Sequence, residues 1–181
     1  SQYCAIRREK RAIKRAIVGT FLEPEYINEL SNHLVYELFS GSARLTRACR
    51  RRGFSTASLG KSTIRSQDLL DDSLFAGIKE NVKKGFISFL WIALPCGSWA
   101  RARRGGAGPD ALRSDQWLFG LPWLRGKDRR LVQQHNNIFF QVIELIRLFI
   151  DCNVHFALEN PSTSRVWNTK QLKAISGDFS T

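Results

Sequence analysis

The sequence predicts an α/β domain built on a mostly parallel, doubly wound sheet, and three observations lead to this prediction. Short apolar runs that suit strands alternate along the chain with segments of helical periodicity. The run 86–94 is apolar on both faces, as is typical of strands inside a parallel sheet. The first apolar run leads into turn residues, Ser40-Gly41-Ser42, and then into a helical segment, which is how a βαβ unit opens.

The elements follow one another in the order that such a sheet requires. Gly53 ends the first helix, and Gly77 weakens the second. Residues 101–126 form a long loop rich in Gly, Arg and Trp, and its aromatic residues argue against simple disorder. The predicted strands cover 34–39, 54–59, 86–94 and 154–158, and the predicted helices cover 43–52, 73–84 and 127–150.

The amino-terminal stretch differs from the rest of the chain. Residues 1–17 read as a basic amphipathic helix with an isoleucine stripe, and Pro24 marks a break after it. We therefore divide the chain into a basic helical extension, 1–31, and an α/β domain, 32–181. The extension could be a solvated helix, a phosphate contact or the remainder of an organellar targeting segment.

Length and charge limit the classes of function. The 181 residues, 43% of them hydrophobic, suffice for one substantial core but are few for two. The 28 Lys and Arg outnumber the 16 Asp and Glu, giving a net charge of +12. This excess favours DNA, another nucleic acid or a large ribonucleoprotein complex as partner, with a merely solvated basic surface as the alternative.

The cysteines argue against metal and disulfide chemistry. The four are widely spaced and form no Cys-x-x-Cys pair, so we expect no metal site and a reducing intracellular compartment, either the nucleus or an organelle. The longest apolar run, 86–94, is too short to span a bilayer. Because the sequence begins with Ser and contains no Met, we expect it to be part of a longer product.

Three segments follow predicted strands and should meet at the carboxyl edge of the sheet, where open α/β sheets bind ligands. They are 38–41, 94–96 and 158–161. Ser40-Gly41-Ser42 could offer backbone amides to a cofactor or be an ordinary turn. Cys96 lies in a turn before several arginines, whose charge would favour the nucleophilic thiolate, although many lone cysteines only pack. A carboxylate after a buried strand, as at Glu159, is expected to be paired or functional.

Taken together, these motifs resemble the DNA cytosine-5 methyltransferases, which bind S-adenosylmethionine on a Rossmann-like sheet. Residues 39–43, Phe-Ser-Gly-Ser-Ala, match the family's Phe-x-Gly-x-Gly turn except for the last glycine. Pro95-Cys96 matches its Pro-Cys motif. Glu159-Asn160-Pro161 matches its Glu-Asn-Val motif, with proline in place of valine. The chain is most similar to a divergent, retroelement-associated branch, through 39–42, 95–103, 120–124 and 159–167.

The resemblance implies a role for each motif. Cys96 would add to C6 of a cytosine that is flipped or single-stranded, and Glu159 would bind the ring. The implied cofactor residues are Phe39, Ser40, Gly41, Ser42, Asp68, Leu69 and Pro95. The implied nucleic-acid contacts are Arg101, Arg103, Arg104, Arg113 and Asn160, with the loop tryptophans stacking on bases.

The sequence also departs from the family. Ser58-Leu59-Gly60-Lys61 offers no carboxylate for the cofactor's ribose after the second strand, and the family's downstream motifs have no counterpart after Trp167. We therefore expect the methyltransferase sheet to be incomplete on its carboxyl-terminal side. Two functions stay open: an active DNA methyltransferase, and a non-catalytic basic module that binds nucleic acid or assembles into a large complex.

Overall fold

Four parallel strands form the sheet of this protein in the computed structural model, which describes residues 34–60, 72–101 and 109–177. The strand order is β2-β1-β3-β4. The strands are β1 (Leu34–Leu38), β2 (Ser55–Leu59), β3 (Ile87–Ala93) and β4 (His155–Glu159), and the helices are α1 (Arg44–Arg51), α2 (Asp72–Lys83), α3 (Gly126–Asp151) and α4 (Lys170–Ser176), with a 3₁₀ turn at Arg165–Asn168.

The predicted strands and the three predicted helices are confirmed, each end lying within one residue of its expected position. The parallel pairing is also confirmed: β1 pairs with β2 and β3, β3 pairs with β4, and all three of these described pairs are parallel. The helical turns at 165–176, which follow β4, were not predicted. The predicted extension at 1–31 lies outside the described residues.

Helices cover both faces of the sheet. Leu38, Leu90 and Leu158 belong to the larger core with α2 and α3, whereas Val35 and Phe89 belong to a smaller cluster that Cys49 of α1 contacts. Successive residues of a strand point to opposite faces, so α1 lies on one side of the sheet and α2 and α3 on the other. This arrangement agrees with the doubly wound layout that the alternating pattern predicted.

The helix α3, 26 residues long, supplies more buried side chains to the core than any other described element. Its buried side chains recur every three or four positions and include Phe139, Leu145, Ile146 and Phe149, each fully buried. They pack against the inner residues of β1, β3 and β4. No helix in the described ranges is long and apolar enough to cross a membrane.

The central strand contains a buried carboxylate. Glu37 is only 5% exposed, and its Oε2 accepts hydrogen bonds from the backbone N–H of Thr46 at 2.8 Å and from the Thr46 hydroxyl at 2.5 Å. Thr46 lies in the first turn of α1, where a negative charge complements the helix dipole. Glu37 therefore fixes the start of α1 against β1, just beyond the turn that joins them.

Candidate functional site

The carboxyl ends of β1, β3 and β4 lie side by side, so the three predicted segments share one edge of the sheet. Ala93 of β3 is in register with Glu159 of β4, and Leu38 of β1 with Ile92 of β3. After β1 the chain runs to β2 on one side and then returns to β3 on the other. The strand order thus reverses between β1 and β3, and the crevice at such a reversal is where open α/β sheets hold ligands.

The turn after β1 is tight and is attached to β2. Phe39, Gly41 and Ala43 have positive φ angles of 58°, 50° and 51°. The N–H of Ser40 donates to the Leu59 carbonyl at 3.0 Å, and that of Ala43 donates to the Ser40 carbonyl at 2.7 Å. These two amides are therefore used within the protein, so the turn offers fewer donors to a cofactor than the sequence suggested.

Gly60 packs directly beneath this turn. A Cβ at Gly60 would lie 2.7 Å from the Ser40 Oγ and 3.0 Å from the Ser40 backbone nitrogen, closer than real Cβ atoms approach. Only glycine allows the end of β2 to approach the turn so closely. Nothing in the sequence pattern indicated that Gly60 has this role.

The surroundings of the turn fit a cofactor only in part. The Ser40 hydroxyl is buried and has no hydrogen-bond partner, so it could bond to a polar group of a ligand. The end of β2, Ser58-Leu59-Gly60, provides no carboxylate for ribose hydroxyls. Asp68 and Leu69, which the resemblance implies as further cofactor contacts, lie outside the described residues.

Cys96 presents an exposed thiol from a well-defined turn after β3. Its backbone carbonyl accepts hydrogen bonds from the N–H groups of Trp99 and Ala100, both at 2.9 Å. Pro95 before it is half-buried, and Trp99 after it is fully buried. The turn is thus closed by hydrogen bonds to the Cys96 carbonyl, while the cysteine itself is exposed to solvent. Because Trp99 is buried, its ring cannot stack on a base.

Asn160 joins the third segment to the second. Its Nδ2 donates to the Leu94 carbonyl at 2.7 Å, and the side chain is 7% exposed. This position disagrees with the predicted nucleic-acid contact, because the amide is enclosed between two strand ends. The Oδ1 of Asn160 is buried without a partner. Glu159, by contrast, is exposed beside the Cys96 segment, so a thiol and a carboxylate share one solvent-accessible edge.

A buried network of polar side chains supports the Cys96 turn. The Ser98 hydroxyl lies 2.9 Å from Nδ1 of His135 on α3 and accepts hydrogen bonds from Nε and Nη2 of Arg113 at 3.1 and 2.8 Å. The Ser98 oxygen already accepts from Arg113, so the Ser98 hydroxyl can donate its own proton to His135 Nδ1. The ring also lies close to Gly97, where an added Cβ would be 3.5 Å from His135 Cε1.

Arg113 belongs to this network and not to the surface. It is fully buried, donates to the Leu118 and Val132 carbonyls and to Asn136 Oδ1, and its Cζ lies 3.5 Å from the centre of the Trp99 ring. Burial lowers the pKa of Arg113 to about 9, so it stays protonated at neutral pH. The predicted phosphate contact at Arg113 disagrees with this position, because its donors are used to fix the loop to α3.

The other predicted arginines are placed differently. Arg101 is half-buried, and its Nη2 lies 2.7 Å from Asp115 Oδ1. Asp115 also accepts a hydrogen bond from Asn168 at 3.2 Å and lies 3.8 Å from Nε of Arg165. Arg101 thus helps to connect the segments that follow β3 and β4. Arg103 and Arg104 lie outside the described residues.

Sequence reasoning did not identify Ser98 and His135. Ser98 lies inside the segment 95–103 that carries part of the family resemblance, but the resemblance assigned it no role. His135 lies inside a helix whose periodicity concerns only its apolar face. The spacing of buried polar residues across two elements becomes visible only in the folded chain.

The described residues contain no cluster of three His, Cys, Asp or Glu side chains able to hold a metal ion. The arrangement can instead support covalent chemistry, through an accessible thiol in a fixed turn with a carboxylate on the adjacent strand. No protein-family model, curated protein or solved structure matches this chain.

Proposed function

We propose that this chain is a cytosine-5 methyltransferase-like domain that acts on DNA through Cys96 and depends on S-adenosylmethionine. The observation that carries the proposal is the exposed Cys96 thiol in a rigid turn beside the strand-order reversal. The β1 turn with its unpartnered Ser40 hydroxyl lies on one side of β3, and Glu159 lies on the other. The motif resemblance assigns matching roles to these residues.

The proposed chemistry uses the two exposed groups at this edge. The Cys96 thiolate forms a bond to C6 of cytosine, and the displaced π electrons make C5 nucleophilic. Glu159 hydrogen-bonds the N3 side of the ring and stabilises the adduct. S-adenosylmethionine, when bound, supplies the methyl group that C5 takes. Loss of the C5 proton to a base then restores the ring double bond and releases Cys96.

The Ser98, His135 and Arg113 network has a positioning role in this proposal. It holds Gly97 and Ser98 against α3, so the adjacent thiol keeps its direction without the network contacting the substrate. C6 of a stacked base is inaccessible, so the substrate cytosine must be flipped or single-stranded.

A second candidate is a non-catalytic module that binds nucleic acid or assembles into a ribonucleoprotein or another large complex. The observation that favours it is the end of β2, where Ser58-Leu59-Gly60 lacks a carboxylate for the cofactor's ribose. The net charge of +12 suits a polyanionic partner with or without catalysis.

Titration calorimetry with S-adenosylmethionine, followed by transfer of a labelled methyl group to DNA, separates the two candidates. The methyltransferase proposal expects saturable cofactor binding, transfer by the wild type, and no transfer by Cys96→Ser. Cys152→Ser is the matched control, because Cys152 is also exposed but lies at the end of α3. A folded wild type that binds DNA but neither binds the cofactor nor transfers methyl groups would contradict the enzyme proposal and favour the second candidate.

A further inference from the structure

A group of aromatic side chains is exposed on the loop before α3 and on α3 itself. Trp123 is 64% exposed, Phe119 is 38% exposed and Phe140 is 43% exposed. Large aromatic side chains usually contribute to cores or interfaces, so several exposed together indicate a binding surface. We call this surface, with the basic residues described next, the aromatic–basic patch.

Basic side chains accompany these aromatic residues. Arg125, Lys127, Arg129 and Arg130 are exposed, and Asp128 is the only acidic residue between positions 121 and 140. Neither Arg129 nor Arg130 forms an ion pair within the part of the chain that the structure describes. Among the described residues, these two arginines therefore carry positive charge that no acidic side chain pairs with.

Arginine and aromatic groups meet in one groove. A cavity of about 290 Å³ is lined by residues 119–122 and Leu124 on the loop side and by Arg129, Val132 and Gln133 on the helix side. This volume is close to the lower end of small-ligand pockets, about 300 Å³. Positions 129, 133, 136 and 140 are spaced by three or four residues, so Arg129 and Phe140 lie on the same face of α3.

The loop side of the groove is held against α3. Phe119 stacks on Phe140 with ring centres 5.3 Å apart and planes inclined by 19°, and its edge contacts the buried Trp99 ring at 6.1 Å. Asn136 donates to the Phe119 carbonyl at 2.8 Å. The groove is therefore formed before any partner binds, which lowers the entropic cost of binding.

We propose that the aromatic–basic patch binds single-stranded nucleic acid, with bases stacked on Trp123 and phosphates beside Arg129 and Arg130. Proteins that bind single strands combine these two features, a positively charged groove and exposed aromatic rings. A duplex hides its base faces, so stacking on Trp123 requires unpaired bases. An acidic peptide could satisfy the charges, but it supplies no flat rings to pair with the exposed indole.

This inference goes beyond the proposed methyl transfer and does not depend on it, because the patch uses none of the residues at the sheet edge. If methyl transfer fails and the patch still binds, only the proposed function is contradicted.

The test is fluorescence anisotropy with a short labelled oligo(dT) and the matching dT·dA duplex. We expect tighter binding of the single strand, and about tenfold weaker binding or more for Trp123→Ala. The double variant Arg129→Ala/Arg130→Ala should reduce the slope of log K against log salt by about 1.4, since each phosphate contact to a single strand contributes about 0.7.

Two exposed residues away from the patch supply matched controls. Phe86, 60% exposed, precedes β3 at the opposite edge of the sheet, and Arg147 lies near the far end of α3. Phe86→Ala and Arg147→Ala should bind oligo(dT) as the wild type does. Three results would each overturn the proposal. The first is an equal loss of affinity in the controls and in the patch variants, and the second is equal affinity for duplex and single strand with no effect of Trp123→Ala. The third is binding of poly-glutamate in place of oligo(dT).

Discussion

Replacing Arg113 by methionine should destabilise the protein strongly although it removes a buried charge. Met has a similar length and is apolar, so the change isolates the hydrogen bonds from most of the packing. It leaves acceptors on Ser98, Leu118, Val132 and Asn136 without their donors. The contact of the guanidinium with the Trp99 ring is lost as well.

The size of the effect follows from opposing contributions. Each of the four acceptors loses a hydrogen bond with a net contribution of about 1 kcal/mol, so together the losses lower the free energy of unfolding by about 4 kcal/mol. Part of this loss is offset because the variant no longer buries a cation. We expect a loss of about 2–4 kcal/mol in the free energy of unfolding. In a domain of this size that corresponds to a decrease in Tm of about 4–16 °C.

Urea unfolding followed by tryptophan fluorescence measures this effect, since Trp99 is buried against Arg113. Arg113→Lys keeps the charge but loses the planar fork, so it should fall between the wild type and Arg113→Met. Arg147→Met, at an exposed site on α3, should change stability by about 0.5 kcal/mol or less. An Arg113→Met protein as stable as the wild type, or more stable, would refute the assignment of Arg113 as the residue that holds the loop.

Three further changes test other parts of the fold. Thr46→Val should cost about 1.5–3 kcal/mol in urea unfolding, because Glu37 loses its 2.5 Å hydroxyl donor; an unchanged midpoint would contradict this. Gly60→Ala should lower the free energy of unfolding by about 1–3 kcal/mol, because its Cβ clashes with the β1 turn. Gly77→Ala on α2, where a Cβ meets open space, should raise it by about 0.5–1 kcal/mol. Calorimetry should therefore show Tm shifts of opposite sign for the two variants. Burial raises the pKa of Tyr36 to about 12, so the folded protein keeps the phenolic proton to higher pH than the unfolded chain does. The stability that this proton contributes is fully present below pH 10 and is lost as the pH rises through 12. The difference between the alkaline absorbance titrations of the wild type and Tyr36→Phe should have its midpoint near 12, and a midpoint near 10 would contradict the assigned burial.

The strands and helices could be predicted because their signals are local and repeated. The apolar run around Leu90 and Ile92 has no polar face, which indicates a strand enclosed by helices on both sides. In α3 the buried residues recur at helical spacing over 26 positions, so its limits were accurate. The meeting of the three strand-end segments followed from the same pattern, because parallel strands end at one edge.

Arg113 could not be placed from the sequence because its acceptors come from distant positions. Ser98 precedes it by 15 residues and Asn136 follows it by 23. An arginine in a loop rich in glycine and arginine is most simply interpreted as exposed. Asn160 was misplaced for a similar reason, since the Leu94 carbonyl it contacts is 66 residues earlier in the chain.

The way Arg113 holds the loop has a consequence for how this part of the protein moves. Because Arg113 donates to Val132 and Asn136 of α3 as well as to Ser98, this segment cannot detach from α3 without exposing several buried polar groups at once. Residues 112–121 should therefore exchange their amide hydrogens together with the middle of α3, as one cooperative unit. The wall of the groove around Phe119 would then behave as part of the protein core and not as a lid, so a ligand would meet a surface whose shape is already set.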